Sequence, residues 1–246
     1  MIEKVIDKVL EQFCKDNIEN EKIKVEFEIK NIEKLNGYID VPNNISLPMK
    51  IVIGQNVINQ YVEKDYQVFC TIYHELVHAW DYYNYCKKYY DGDYILMKNN
   101  KNFQAFYLWS EFNAKRRSYI YYRDLLQQKV SRSIQFDALM NKEIPYINEN
   151  INYEIENYNG GDLLYYIVHY LARYMVWEEI FLNQINNYSY INENVKIMLG
   201  NSLKPLYEFL KKNKNMPSNS EDWDNFNKII TESNLNITIY LAQKIN

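Results

Sequence analysis

His74-Glu75-Leu76-Val77-His78 is the stretch of this 246-residue chain whose residue types and spacing suit hydrolytic chemistry. On a helix, residues four apart share a face, so both imidazoles turn toward one point, as two ligands of a divalent metal must. Glu75 then lies beside them, where its carboxylate reaches a water on the metal without itself being a ligand. That is the place of a general base. The chain has only three His, and two of them stand here, so the spacing is no by-product of a His-rich composition. Phe69, Ile72, Tyr73, Leu76, Val77 and Trp80 supply the apolar faces that bury such a helix. The competing reading is a core helix that happens to carry two packed His.

A catalytic zinc takes three protein side chains and leaves its fourth position open, so a third donor is required. Cys70 and Cys86 share the stripe of the two His, but each lies roughly 6 Å or more farther along the axis and would miss the ion. Asp81, one turn after His78, is placed to orient an imidazole as an outer acceptor, or else is a structural or solvated carboxylate. Glu111 is the stronger candidate. It stands on the next long helix among Phe103, Phe106, Tyr107, Leu108 and Phe112, where an uncompensated carboxylate would be costly. Ala114 and Ser118 on its own face would let the two helices approach closely; the alternative is a surface pair with Lys115.

The elements that must hold these residues are legible from periodicity. Ile2, Val5, Ile6, Val9, Leu10 and Phe13 recur at helical spacing, and Ile23, Val25, Phe27 and Ile29 alternate with Lys and Glu as a half-buried strand does. A second short strand is expected after Gly37, and a third over Met49 to Ile53, ending at Gly54. Beyond Lys64 the pattern is helical: about 65–88, 102–130, 134–157, 161–186, 203–213 and 221–244, with Asp162 suited to cap the fourth of these. The expected fold class is α+β, mostly α, a small N-terminal β-sheet packed on the motif helix and followed by a helical C-terminal region. We expect one continuous domain over 1–246, with the sheet and metal-site helices in 1–130 and helices in 131–246.

Composition limits the function classes. With 28 basic against 32 acidic residues and a formal charge of −4, the chain lacks the basic excess that a phosphate backbone demands, so no nucleic-acid partner is expected. The most apolar stretch, Leu163 to Leu182, is interrupted by His169, Arg173, Glu178 and Glu179, which argues against a membrane span. Three Cys without framework spacing, and no apolar signal core at the N-terminus, point to a reducing, cytoplasmic setting. The 25 Tyr, with abundant Ile, Asn and Lys, reflect genome composition more than function.

On HELVH and the downstream Glu111, the chain resembles a zincin metallopeptidase of the gluzincin type. More loosely, the strand, the motif helix and Glu111-x-x-Ala114 are similar to the ImmA/IrrE-like metallopeptidases. The similarity covers residues 49 to 120 and departs at Lys115, where gluzincins carry an Asp that supports a His ligand. The apolar-Pro ending of the ImmA/IrrE helix is also missing. The resemblance implies Zn2+ held by His74, His78 and Glu111, with Glu75 as base and a protein or peptide substrate. It implies that the strand before the motif helix, Met49 to Ile53, is the edge to which substrate adds as a further strand. It also gives the stripe Tyr166, His169 and Arg173 a meaning: His169 or Tyr166 would donate to the developing oxyanion. A satisfied core His is the plainer account of His169. The alternative function is a catalytically inactive zinc-binding helical module for protein interaction.

Overall fold

Alternation of Val25, Phe27 and Ile29 with Glu and Lys makes β1 (Val25–Lys30), in which Val25 and Phe27 are half-buried and Ile29, near its end, is exposed. In the computed structural model, which describes residues 2–17, 23–32, 36–62, 67–127, 130–158, 160–181 and 188–245, two further strands follow, β2 (Gly37–Asp40) and β3 (Met49–Gly54). The sheet order is β1-β3-β2, with β1 parallel to β3 (Val25 opposite Met49) and β2 antiparallel to it (Gly37 opposite Ile53).

This order corrects one expectation. Met49 to Ile53 is not an edge; it is the middle strand, paired on both sides, so its backbone is unavailable to a substrate. Ile51, Val52 and Ile53 are all buried, and such an uninterrupted apolar run is the mark of a strand covered on both faces. The edges are β1 and β2. Gly54 donates to the Asn36 carbonyl at 2.8 Å, which turns Asn36 toward β3. Alternation along the strand therefore turns the amides and carbonyls of Gly37 and Ile39 away from β3. Among the described residues no further strand pairs with β2.

The described residues group into two units, 1–103 with 117–126 and 104–116 with 127–246. In the first, α1 (Ile2–Asp16), the short α2 (Gln55–Val62), α3 (Gln67–Tyr90) and α4 (Tyr94–Lys98) accompany the sheet. The motif helix α3 packs on β2, β3, α1 and α2. It is apolar on most sides: Val68, Ile72, Leu76, Val77 and Ala79 are fully buried, meeting the demand of a helix covered all round. Phe13 on α1 meets Tyr73 edge-on, and the Tyr73 hydroxyl donates to Asp16 at 2.6 Å. The turn after α3 needs its glycine: Gly92 has φ of +84°, and a Cβ there would lie 2.6 Å from Ile45. Asp93 then caps α4, accepting from the Ile95 and Leu96 amides.

Helix α5 (Phe103–Gln127) is unbroken and contributes to both units. The second unit is helical: α6 (Arg132–Ala138), a π turn (Leu139–Glu143), α7 (Ile144–Asn157), α8 (Gly160–Ile180), α9 (Glu193–Leu199), α10 (Leu203–Lys212) and α11 (Ser220–Ile245). Its core gathers Trp109, Phe106 and Trp223 in edge contacts, with Trp109 Nε1 donating to the Asn213 carbonyl at 2.7 Å. Helix α8 begins at Gly160, so Asp162 sits within the first turn, facing the positive helix terminus, and is not the cap itself. The expected extension of this helix through 182–186 falls outside the described residues. Helices α2, α4 and α9 had not been expected. Among the described residues, no helix is long and apolar enough to cross a membrane.

Candidate metal centre

Both motif His lie in the interior of α3, seven or more residues from either end, where the helix fixes their Cα positions. Their rings meet edge-on at 4.5 Å between centroids, and the two Nε2 atoms are 3.0 Å apart. Two donors bound to one zinc at about 2.0–2.1 Å with a tetrahedral angle would be separated by about 3.4 Å, so this pair needs only small adjustment. His78 is buried, and His74 is half-exposed.

Glu111 is carried by α5 and keeps only 7% of its surface. Phe106, Phe112 and Ala114 near it are wholly buried, as the apolar run in the sequence requires. Ligand atoms of His74, His78 and Glu111 all lie within 4.8 Å of one another, a group that could hold a metal ion. Two nitrogens and one carboxylate oxygen form a donor set suited to zinc and to other divalent transition metals. Cys70 and Cys86 stay out of it. Cys70, one turn before His74, instead approaches the Ser118 carbonyl at 3.5 Å, and burial pushes the Cys86 thiol up to about 12, leaving it inert.

Glu75 is 5% exposed and leans on the sheet. A Cβ built on Gly37 would stand 3.1 Å from Glu75 Oε1 and 3.1 Å from the Val52 carbonyl, closer than packed carbons normally come. Glycine at the start of β2 thus lets the carboxylate lie against the strand. The sequence reading placed a strand after Gly37, whereas Gly37 is its first residue; a glycine in a strand, which marks close approach to a backbone, was the available signal. Asp81 is buried at 3%, which removes the solvated reading of it.

His169 Nε2 lies 3.0 Å from Glu111 Oε2. Burial drives its pKa down to about 4, against the opposing pull of the Glu111 carboxylate, so the ring is neutral at pH 7 and its Nε2–H donates to that oxygen. Tyr165 packs on this ring, 4.3 Å between centroids, and stacks in turn on Tyr107 of α5. Tyr166 goes elsewhere. Its ring lies on Tyr158, 4.6 Å away, and burial together with Tyr158 and Glu154 raises its pKa. The structure therefore brings His169 to Glu111 but turns Tyr166 toward the end of α7. Tyr107 and Tyr165 carried no signal in a chain so rich in Tyr.

Comparison of the chain with protein-family profiles, curated proteins and solved structures finds no match in any of the three.

Proposed function

We propose that this chain is a zinc-dependent peptidase. The observation that carries the reading is the convergence of His74, His78 and Glu111 with a buried Glu75 next to the first of them. Zinc bound by these three would supply Lewis acidity toward a peptide carbonyl and a water molecule. The chain's own residues supply the rest. The Glu75 carboxylate accepts a proton from the attacking water as the new C–O bond forms, and returns it to the amide nitrogen as the C–N bond breaks. Its neighbours orient it: Gly37 leaves room for the carboxylate, and the wall behind it is strand β2. The outward amides and carbonyls of β2 suit an extended polypeptide that pairs as a fourth strand, so β2 takes the role expected of β3.

Glu75→Gln tests the mechanism because it keeps the shape of the side chain and removes the base. The variant should bind zinc as the native chain does and lose about 10²–10⁴-fold in turnover against a broad peptide library. Native-like cleavage by this variant would refute the mechanism. Zinc bound at one equivalent by a native chain that cleaves nothing in the library would favour a metal-holding interaction module.

A further inference from the structure

A glutamate has a soft terminal torsion: its carboxylate swings broadly about the last bond and needs an external partner to fix its plane. For Glu111 that partner is His169, whose Nε2 meets Oε2 at 3.0 Å across the α5 and α8 helices. The ring is itself held in place. Tyr165, four residues before His169 on α8, lies tilted on it, and Tyr165 stacks on Tyr107, with centroids 6.4 Å apart and planes 17° apart. Tyr107 is one turn before Glu111 on α5. The contacts therefore close a loop, running from Glu111 to His169, to Tyr165, to Tyr107 and back along α5.

We infer that His169 is a positioning residue that acts through Glu111, fixing one carboxylate oxygen so that the group is presented to the metal together with His74 and His78. The inference rests on the reading of those three residues as a metal site. A donor on the far side of a ligand fixes its orientation, and losing such a partner typically costs about 10–100-fold in metal affinity. This role differs from contact with the reacting atoms. His169 spends its N–H on the ligand, where it contributes through the geometry of the bound ion.

Zinc affinity, measured on the full chain by chelator competition, decides the matter. His169→Ala should weaken zinc about 10–100-fold, while His169→Gln, whose amide nitrogen reaches near the place of Nε2, should recover most of the loss. His169→Asn, with a shorter amide, should behave as Ala does and carries the test if the Ala chain does not fold. In a Glu111→Ala background the His169→Ala change should add less than about 3-fold, because the partner through which it acts is gone. With cobalt in place of zinc, His169→Ala should keep the visible bands of the native complex, since the three donors are unchanged. Native-like affinity of His169→Ala, an equal loss in both backgrounds, or cobalt bands altered as they are by loss of a ligand would each overturn the inference. A native chain that binds no zinc would overturn the metal reading, and this inference with it; binding by the native chain separates the two failures.

Discussion

The second unit treats the carboxylates between its helices in two ways. On α8, Glu178 accepts from the Tyr207 hydroxyl and pairs with Lys211 at 3.1 Å, while Glu179 takes Arg116 at 2.7 and 3.2 Å and Lys214 at 2.6 Å. Glu111, a short distance before Arg116 on α5, is met by a His that burial keeps uncharged. A carboxylate already balanced by Arg and Lys is a structural tie between helices. One met by a neutral donor, with two more imidazoles within 4.8 Å, has the surroundings of a cation ligand. On the metal reading proposed above, the difference lies in what would supply the positive charge, a side chain in the first case and an ion in the second.

Three changes would break or sharpen that contrast. The largest effect is expected from Glu111→Ala, which should lower zinc affinity by more than the about 10–100-fold that outer partners contribute, read by chelator competition. Were Glu111 a tie like Glu179, zinc would be indifferent to it and only stability would fall. Tyr207→Phe should do the reverse. Removing a hydroxyl from a buried carboxylate should cost about 1–3 kcal/mol in urea unfolding and leave zinc affinity as it was. The smallest effect is in the acid limb of Glu179. Burial raises its pKa, but Arg116 and Lys214 overcome this and hold it below the ordinary carboxylate value. The folded state thus binds its proton later than the unfolded chain, and the stabilisation present at neutral pH is lost as pH falls through and below that ordinary value. Glu179→Gln should flatten the pH dependence of stability in that range, measured by urea melts at successive pH values.

What could be read in the sequence divides along the same physical line. The grouping of the two motif His was legible because residues four apart share a helix face, and that of Glu111 because an acid in an apolar run demands compensation. His169 was visible as part of a polar stripe, but whether the stripe faces the motif His, Glu111 or the core depends on how α8 packs against α5. Periodicity within one helix does not encode that packing, which is why Tyr166, three residues away, could be placed beside His169 and yet turns toward Tyr158. The sheet order was missed for a different reason. Strand existence follows from alternation, whereas order depends on which neighbours pair, and the apolar run at Ile51 to Ile53 was the one local clue. Helices α2, α4 and α9 are eight residues or fewer, too short for a period to stand out.

Because position 37 has no side chain, the surface facing Glu75 there is made of main chain alone, and main-chain atoms are the same whatever the gene encodes. A side chain introduced there would put its Cβ 3.1 Å from both Glu75 Oε1 and the Val52 carbonyl, so the wall cannot be recast at this position without moving the carboxylate or the strand. Reshaping the surface around Glu75 therefore falls to neighbouring positions that carry side chains.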